Sequence, residues 1–165
     1  MRVGVGWDMH RLVPGRALVL GGVTVPFPQG LEGHSDADAL CHALIDALLG
    51  AAAGGDIGRC FGVDDPARAG ASSLVLLQEA WGTLKARGYR ILNVDATLLA
   101  EAPRLTPHLP AMVANLAGVL EVGMDRVSVK ATTAKGMGWI GAGEGIACIA
   151  VAALADSADR AEGEG

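Results

Sequence analysis

The sequence predicts a single domain of the α+β class, in which helices lie between the strands of one sheet, as in a split βαβ arrangement. Residues 3–10, 89–101 and 126–133 alternate between apolar and polar side chains as strands do, helical periodicity appears between them, and a hairpin signal follows the first strand. At 165 residues the chain is most simply one domain, which should bury about 70 % of its unfolded surface. We assign the domain to residues 1–155 and expect the acidic residues 156–165 to form a disordered tail.

The core of this domain must be built from small side chains. Hydrophobic residues make up 51 % of the chain but aromatic residues only 4 %, and 24 residues are glycine. Small apolar residues at this density suit an oligomer interface. They suit a tightly packed monomer equally well, and composition does not choose between the two.

Composition also excludes several function classes. The net charge is −5 and the basic residues form no cluster, so the electrostatic footprint of a nucleic-acid binder is missing. The cysteines Cys41, Cys60 and Cys148 are scattered without a C-x-x-C pair, which favours reduced, buried thiols in a cytoplasmic protein over zinc held by cysteine. No segment resembles a signal peptide or a membrane span, so we expect a soluble, unprocessed protein without a membrane partner.

The first strand ends in a carboxylate and an imidazole. Strand side chains alternate between faces, so Asp8 and His10 project to the same face, with Gly4 and Gly6 behind them. The opposite face carries Val3, Val5, Trp7 and Met9. An Asp-x-His pair is usually no more than polarity at a strand end, and it predicts a metal site only if a third ligand completes it.

A hairpin and the first helix follow. Residues 17–20 and 23–25 flank Gly21-Gly22, which predicts a tight turn with positive φ, and a Pro-rich and Gly-rich connection then runs over residues 26–33. We predict Ser35 as the N-cap of a helix that runs to about residue 50, with Asp38 completing a capping box and Asp36 adding favourable charge. The stripe expected to lie on the sheet is Leu40, Leu44, Ala47 and Leu48.

The opposite stripe of this helix carries ionisable residues. Asp38, His42 and Asp46 recur every four residues and are interleaved with Ile45 and Leu49. One interpretation is a solvated polar face with a stray histidine. The other is a metal ligand, since imidazoles that bind metals are commonly oriented by a carboxylate.

Two further helices and a loop are predicted beyond it. Residues 61–66 form a turn-rich segment, either a substrate lid or a plain connection, and a helix spans residues 73–87. Thr106 is predicted to cap a third helix with Pro107 as its first residue. The small apolar run 145–154 fits either a buried strand or a helix.

Residues 136–141, with the sequence GMGWIG, match the G-x-G-x-x-G fingerprint of dinucleotide-binding folds. Such a fold needs a long helix and a further strand with a ribose-binding acid about 20 residues on, and too little chain remains. The glycines are better interpreted as a tight turn, or as a close approach of the backbone to a phosphate or a neighbouring subunit.

Several ordered motifs together resemble the 2-C-methyl-D-erythritol 2,4-cyclodiphosphate synthase family. They are GWDMH at 6–10, HSDAD at 34–38, His42 with DALLG at 46–50, GDIG at 55–58, and KATT at 130–133 with GEGIA at 143–147. The resemblance runs from residue 1 to about residue 154. Several motifs at the family's spacings are far more specific than any single one.

This resemblance implies a homotrimer of ferredoxin-like α/β subunits, with helices on one face of a mixed sheet and active sites at the subunit interfaces. It implies a phosphorus–oxygen lyase of non-mevalonate isoprenoid biosynthesis. In 4-diphosphocytidyl-2-C-methyl-D-erythritol 2-phosphate, the 2-phosphate attacks the β-phosphorus, closes a cyclic diphosphate and expels CMP. The competing hypothesis is a non-catalytic module that keeps zinc for structure and binds a nucleotide without turnover.

The resemblance also implies that Asp8, His10 and His42 bind one Zn²⁺ per subunit. A carboxylate and two imidazoles leave one position of tetrahedral zinc open for a phosphate oxygen, whereas structural zinc sites are normally closed. We add an expectation of our own. Asp46, one turn after His42, should orient that imidazole, with a surface or capping role as the alternative.

The remaining site residues are carried over from the same resemblance. His34 and Thr133 are the catalytic residues, and His34 and Ser35 position the phosphate end of the substrate. The substrate-binding set is Asp8, His10, His34, Ser35, Asp56, Ile57, Gly58, Phe61, Gly62, Val63, Asp64 and Asp65. The nucleotide-binding set, contributed by the neighbouring subunit, is Ala100, Glu101, Ala102, Pro103, Arg104, Leu105, Ala131, Thr132, Thr133 and Lys135.

Three positions depart from the family's pattern. Arg104 stands where Lys is frequent and keeps the positive charge. Lys135 replaces a Glu that helps to hold a second divalent ion, Mg²⁺ or Mn²⁺, so either phosphates and water hold that ion or Lys135 neutralises the diphosphate. Ala142 replaces an Arg that faces the central cavity of the trimer, so we do not expect a phosphorylated isoprenoid to bind there.

Overall fold

The computed structural model describes residues 1–62 and 70–156, and within them seven strands and five helices. In chain order these are β1 Arg2–Pro14, β2 Leu18–Leu20, β3 Val23–Val25, β4 Gln29–Leu31, α1 Ala39–Ala51, α2 Ile57–Phe61, α3 Ser73–Ala86, β5 Tyr89–Leu99, α4 Leu109–Leu120, β6 Val127–Thr132, α5 Gly138–Gly141 and β7 Gly145–Asp156. Short 3-10 turns at Thr106–His108 and Met124–Arg126 precede α4 and β6.

Five of the strands form one mixed sheet in the order β4-β1-β7-β5-β6. Strand β7 is antiparallel to both β1 and β5, and β5 is parallel to β6, so β1, β5 and β6 run in the same direction. The carboxyl ends of these three strands therefore meet at one edge of the sheet. The candidate site residues cluster at this edge.

The predicted mixed sheet with helices on one face is confirmed, but the ferredoxin-like connectivity is wrong. A ferredoxin-like chain follows β-α-β-β-α-β, whereas here β1, β5 and β6 are each separated by long helices and β7 comes last. The apolar run that the sequence left as strand or helix is this last strand. It lies in the middle of the sheet, between β1 and β5, where both of its faces carry small side chains.

Helix α1 crosses β1 at very close range because two glycines face it. A Cβ atom on Gly4 would lie 2.1 Å from the carbonyl oxygen of Ala47, and one on Gly6 would lie 1.9 Å from that of Ala43. Any other residue at these positions would push the helix away from the strand. The two glycines therefore set the distance between β1 and α1 next to Asp8 and His10.

Helix α1 begins later than the sequence predicts, because Asp38 rather than Ser35 is its N-cap. Asp38 Oδ1 accepts hydrogen bonds from the backbone N–H groups of Leu40 and Cys41, both at 3.1 Å. Its Oδ2 accepts the N–H of Gly22 at 2.8 Å, which fixes the hairpin turn against the helix. Burial raises the pKa of Asp38 above its ordinary value.

The hairpin prediction is confirmed, since β2 and β3 pair around Gly21 and Gly22, whose φ angles are 57° and 69°. The connection after it contains the unpredicted strand β4, which pairs with the end of β1. Thr106 does not cap an α-helix but opens a 3-10 turn, and α4 begins three residues later with a proline in its first turn. Both differences arise where prolines interrupt the sequence pattern.

Asp156 and Cys60 also differ from the predictions. Asp156, predicted to open the tail, is the last residue of β7, and its Oδ2 lies 3.5 Å from Arg2 Nε. Residues 157–165, the rest of the predicted tail, lie outside the described residues. Cys41 and Cys148 are buried as predicted, whereas Cys60 on α2 is exposed.

The face of the sheet opposite the large helices is open. Its β1 and β7 side is apolar, with Val3, Val5, Trp7, Met9 and Ile149 between 37 and 66 % exposed. Its β5 and β6 side is polar and carries an ion pair between Asp95 and Lys130. Among the helices of residues 1–62 and 70–156, none combines the length and the hydropathy needed to cross a bilayer.

Candidate metal centre

Three potential metal ligands from two elements converge on β1, which does not end at His10 as the sequence predicts but continues to Pro14. Asp8 Oδ2 lies 2.8 Å from His10 Nε2 and 3.3 Å from His42 Nδ1, and the two imidazole nitrogens are 3.2 Å apart. Donor atoms bound tetrahedrally to zinc at normal bond lengths are about 3.3 Å apart. The predicted third ligand is therefore in place, at a spacing that fits a metal ion.

Asp8 Oδ2 has the surroundings of a metal ligand. The atom is buried, and in the described part of the chain no group meets it with the geometry of a hydrogen bond, despite the short distances to both imidazoles. Burial alone would raise the pKa of Asp8, but the adjacent imidazoles hold it well below its usual range. A buried anionic oxygen without a hydrogen-bond donor calls for a cation, and Asp8, His10 and His42 are the group in residues 1–62 and 70–156 that can hold one.

The ring of His10 is oriented by the backbone carbonyl of Glu32, the residue that follows β4. His10 Nδ1 lies 2.7 Å from the carbonyl oxygen of Glu32, to which it donates, so Nε2 is the nitrogen that faces Asp8 and can bind either a proton or a metal ion. Burial alone would lower the pKa of His10, but contact with Asp8 and with the Glu32 carbonyl raises it above its ordinary value. In the metal-free protein His10 therefore tends to hold a proton that a metal ion must displace.

The ring of His42 is oriented by a serine that the sequence analysis did not single out. His42 Nε2 lies 2.8 Å from the hydroxyl oxygen of Ser73, the first residue of α3, and 3.3 Å from that of Ser35. The hydroxyl of Ser73 in turn donates to a carboxylate oxygen of Asp36. With Nε2 bound in this way, Nδ1 points to Asp8 and His10.

The prediction that Asp46 orients His42 is wrong in its contact. Asp46 Oδ1 accepts the backbone N–H of Ile57 at 2.8 Å, so this carboxylate fixes the start of α2, and burial raises its pKa. The alternative capping role applies instead. The i, i+4 spacing places Asp46 on the same stripe as His42, but the Ile57 amide is the partner it binds.

Ser35 lies beside the triad, with its hydroxyl oxygen 3.3 Å from His42 Nε2, and His34 precedes it in the chain. Ser35 is buried, and its hydroxyl also accepts the N–H of Ala37 at 3.1 Å. His34 is exposed, and its backbone carbonyl accepts the N–H of Gly70 at 2.9 Å. Since Asp38 caps α1, Ser35 does not stand at the N-terminus of that helix.

The residues expected to bind the sugar portion of the substrate lie on and around α2. Asp56 is the N-cap of this helix and its Oδ1 accepts the N–H of Arg59 at 2.8 Å. Ile57, Gly58 and Phe61 are within the helix and Gly62 follows it. The remaining members of the predicted set, Val63, Asp64 and Asp65, lie outside the described residues.

A surface pocket lies at the carboxyl ends of β5 and β6. It is lined by Ala100, Glu101, Pro103, Arg104, Leu105, Thr106, Ala131, Thr132 and Thr133. The structure therefore brings together all the predicted nucleotide contacts except Ala102 and Lys135, and adds Thr106. Lys135 is exposed just beyond Thr133, to whose hydroxyl its backbone N–H donates at 3.4 Å.

No residue of the metal triad lines this pocket, although both lie at the same edge of the sheet. Strand β7 separates β1 from β5, so the two strands are about 10 Å apart. One chain therefore presents two separate partial sites, the triad and the pocket.

The glycine-rich segment forms a turn, as predicted. A Cβ atom on Gly141 would lie 2.2 Å from the carbonyl carbon of Gly136, so the two ends of the segment touch. The helix within it, α5, has four residues, far short of the helix that a dinucleotide fold requires.

Arg16 is a further residue of this region that sequence reasoning missed. Its guanidinium donates to the backbone carbonyl of Gly33 at 3.0 Å and to that of Ser35 at 2.6 Å, so it fixes the segment that carries His34. Ser73 is 31 residues from His42 in the chain, and neither it nor Arg16 belongs to a periodic pattern with the triad. No signal in a single sequence connects them to the site.

The chain matches the model of the YgbB family over residues 1–155. It is 58 % identical to the 2-C-methyl-D-erythritol 2,4-cyclodiphosphate synthase of Azoarcus sp. (strain BH72), over 93 % of this chain and 95 % of that protein. It is 54 % identical to the protein of the same name from Moorella thermoacetica, over 94 % of this chain and 96 % of the relative.

Solved structures are similar in the same way. A CDP-bound 2C-methyl-D-erythritol-2,4-cyclodiphosphate synthase matches with a TM-score of 0.85 at 40 % identity, over 93 % of this chain and 100 % of that one. The bifunctional IspDF of Campylobacter jejuni matches with a TM-score of 0.89 at 36 % identity. That match covers 95 % of this chain and 43 % of the bifunctional one.

Proposed function

This chain belongs to the YgbB family, and from that premise we propose that it is a 2-C-methyl-D-erythritol 2,4-cyclodiphosphate synthase of non-mevalonate isoprenoid biosynthesis. The proposed reaction is that of a cytoplasmic phosphorus–oxygen lyase. The 2-phosphate of 4-diphosphocytidyl-2-C-methyl-D-erythritol 2-phosphate forms a bond to the β-phosphorus while the bond from that phosphorus to CMP breaks. The observation that carries the proposal is the triad of Asp8, His10 and His42 with its unsatisfied carboxylate oxygen.

Because the substrate supplies its own nucleophile, the chain's task is to position two phosphates and offset their mutual repulsion. Asp8, His10 and His42 would hold one Zn²⁺, which supplies a Lewis acid with one coordination position for a phosphate oxygen. The donor set supports this choice of metal, since imidazole nitrogen and carboxylate oxygen are common zinc ligands. The surrounding backbone holds the ligands: the Glu32 carbonyl fixes His10, and the close contact of α1 with β1 brings His42 to Asp8.

His34 and Ser35 would bind the phosphate end of the substrate through their side chains. Two amide groups at the start of α1, those of Leu40 and Cys41, are not available for this, because the buried carboxylate of Asp38 already accepts their hydrogen bonds. The hydroxyl of Ser35 lies 3.3 Å from His42 Nε2, and His34, the residue before it, is exposed. Asp56, Ile57 and Gly58 would then contact the methylerythritol portion.

The nucleotide would be bound in the pocket at the ends of β5 and β6, and we place Thr133 there as a catalytic contact to the diphosphate. The small side chains of this pocket leave backbone groups free to read the cytosine edge. Arg104 adds a planar cation that suits a phosphate.

A neighbouring subunit would supply this pocket to the triad, in a homotrimer with active sites at its interfaces. The support is the open apolar face of β1 and β7, defined by Val3, Val5, Trp7, Met9 and Ile149, because large exposed apolar patches mark interaction surfaces. Trp7 and Met9 alternate with Asp8 and His10 along β1, so this apolar face and the triad lie on opposite faces of the same strand. Covering the apolar face with a second copy brings that copy to the strand that carries Asp8 and His10.

A second divalent cation, Mg²⁺ or Mn²⁺, would be held by the substrate phosphates and water. Mg²⁺ commonly keeps several waters and relies on phosphate oxygens. The Lys135 ammonium cannot bind a cation but can face the diphosphate, since this residue stands exposed at the rim of the pocket. Activity that persists after complete removal of Mg²⁺ would assign the neutralising role to Lys135 alone.

The experiment that tests the proposed function is release of CMP from the substrate by purified protein, with Asp8→Asn as the matched variant. We expect stoichiometric CMP from the wild type and a loss of at least 100-fold in kcat for Asp8→Asn, about the size of losing one group that stabilises developing charge. The competing hypothesis is a zinc-containing binding module. A wild type that binds CDP but releases no CMP would support that module instead.

A further inference from the structure

The side chains behind His42 form a directed chain of hydrogen bonds. In a neutral imidazole one nitrogen carries the proton and the other a lone pair. If His42 Nδ1 offers its lone pair to a metal ion, Nε2 carries the proton and needs an acceptor. The nearest atom is the Ser73 hydroxyl oxygen at 2.8 Å, on a residue that is completely buried.

The direction of these hydrogen bonds follows from Asp36, the last residue of the series. A carboxylate only accepts hydrogen bonds, so Ser73 must give its single hydroxyl proton to Asp36 Oδ1. The Ser73 oxygen is then an acceptor for His42 Nε2–H. The second oxygen of Asp36 accepts the backbone N–H of Ser73 at 3.0 Å, so one carboxylate accepts hydrogen bonds from both the hydroxyl and the backbone N–H of this serine.

The backbone on each side fixes the two residues. The backbone N–H of Asp36 donates a hydrogen bond to the carbonyl oxygen of Ala71 at 3.1 Å. A neighbouring hydrogen bond runs from the backbone N–H of Gly70 to the carbonyl oxygen of His34. Ser72, the N-cap of α3, makes no side-chain capping bond, and the Asp36 carboxylate takes that place at the start of the helix. The segment that carries Asp36, the helix α3 and the side chain of His42 are thus held to one another through Ser73.

We propose that Ser73 and Asp36 are positioning residues for the metal centre, which hold His42 in the tautomer and orientation that direct Nδ1 to the metal ion. The inference rests on the proposed metal site and adds two residues to it. Ser35 is the weaker partner, because its hydroxyl lies at 3.3 Å from both His42 Nε2 and Ser73 Oγ and already accepts the Ala37 N–H. Asp46 has no part in it, since its Oδ1 binds the amide of Ile57.

The test compares Ser73→Ala with Ser72→Ala, which removes a hydroxyl one residue away that is exposed and makes no capping bond. Each zinc-loaded protein is titrated with a chromophoric chelator. Loss of a group that orients a ligand costs about 10–100-fold in metal affinity, so we expect that loss for Ser73→Ala and none for Ser72→Ala. The visible spectrum of Co²⁺-substituted protein should also change for Ser73→Ala only.

A third variant, Ser73→Thr, separates the hydroxyl from the packing at this buried position. It keeps the hydroxyl and should retain zinc affinity within a few-fold of the wild type. An equal loss of zinc affinity in Ser73→Ala and Ser73→Thr would overturn the inference. So would a Ser73→Ala protein with lowered thermal stability but unchanged zinc affinity and an unchanged Co²⁺ spectrum. A wild type that does not retain zinc would refute the metal site itself, a result distinct from either.

Discussion

At the scale of single residues, the decisive feature is a buried carboxylate oxygen with two imidazoles against it. Asp8 Oδ2 lies within 3.3 Å of a nitrogen of both His10 and His42, yet neither contact is a well-formed hydrogen bond. Burying an unpaired charge is expensive, so the metal-free site must neutralise it by protonating an imidazole. The raised pKa of His10 is the expression of that need.

The proposed zinc ion and a proton would therefore compete for His10. The pKa of this ring is raised in the metal-free protein, so the Asp8–His10 pair stabilises the metal-free fold below the ordinary histidine pKa and loses that effect as pH rises through the raised value. Zinc binding should strengthen as pH rises from about 6 to 8, by up to about tenfold per unit while the proton must be displaced. Chelator competition at several pH values measures this.

Asp8 alone cannot produce such a dependence, because it is already an anion over that range. A zinc affinity that stays flat between about pH 6 and 8 would therefore contradict the assignment of His10 as a ligand.

Single residues of the site were predictable where a local pattern carries them. Asp8 and His10 follow from strand alternation, and His42 from its place on a helix stripe. Ser73 was not predictable, since it meets His42 across 31 residues of chain and only the packing of α3 beside α1 brings them together. Asp46 was predicted to orient His42 because spacing alone could not reveal the competing amide of Ile57.

At the scale of elements, the pairing of β1 with α1 builds the metal site. Asp8 and His10 come from the strand and His42 from the helix, so their separation depends on how closely the two backbones approach. Gly4 and Gly6 permit that approach, because a Cβ atom on either would overlap a helix carbonyl. The glycines thus act on the site without touching it.

Gly6→Ala should both destabilise the protein and weaken zinc binding. The added methyl would meet the Ala43 carbonyl oxygen at 1.9 Å, so α1 must shift and carry His42 with it. Overpacking of this kind costs about 1–3 kcal/mol or more. Urea unfolding of the metal-free protein and chelator competition measure the two effects.

Gly82→Ala is the matched control, because Gly82 is exposed within α3 and a Cβ atom there meets nothing within 4 Å. It should raise the free energy of unfolding by about 0.5–1 kcal/mol and leave zinc affinity unchanged. Equal effects of the two substitutions would mean that the close approach of strand and helix does not position the ligands.

The elements themselves were predictable where periodicity is unambiguous. Strand β1, the hairpin and helix α3 follow from alternation, a Gly-Gly turn and an apolar stripe. The start of α1 was wrong because Ser35 and Asp38 are both acceptable caps, and the choice depends on the buried Gly22 amide that only the folded chain supplies. Strand β7 stayed ambiguous because both of its faces carry small apolar side chains, so its sequence shows no alternation between apolar and polar residues.

At the scale of the whole molecule, one chain carries two partial sites and one uncovered apolar face. The triad and the pocket at the ends of β5 and β6 share no residue and are separated by β7. On the open face of the sheet, the β1 and β7 side is apolar, whereas the β5 and β6 side carries the ion pair between Asp95 and Lys130. The proposed association of copies through the apolar side would account for both observations.

Val5→Asp should therefore dissociate the proposed trimer. Val5 is 66 % exposed in the middle of the open apolar face, and a buried aspartate there would leave an unpaired charge in the interface. Light scattering should show monomers, and CMP release should fall steeply while the monomer still binds zinc. Val75→Asp on α3, where the wild-type side chain is 50 % exposed, is the control and should remain trimeric.

A wild type that is monomeric and fully active would contradict the interfacial site.

Sequence motifs indicated the family and the site residues, but not the order of strands, since the central position of β7 depends on long-range pairing with β1 and β5. Connectivity between distant strands leaves no trace in local periodicity.

We propose that this chain closes a cyclic diphosphate with a metal ion held by Asp8, His10 and His42. This proposal is tested by ³¹P NMR of 4-diphosphocytidyl-2-C-methyl-D-erythritol 2-phosphate incubated with zinc-loaded, metal-stripped and zinc-restored protein. We expect equal amounts of CMP and cyclic diphosphate with the loaded and restored proteins, and unchanged substrate with the stripped one. Turnover by the stripped protein at the rate of the loaded one, or no turnover by either, would refute the proposal.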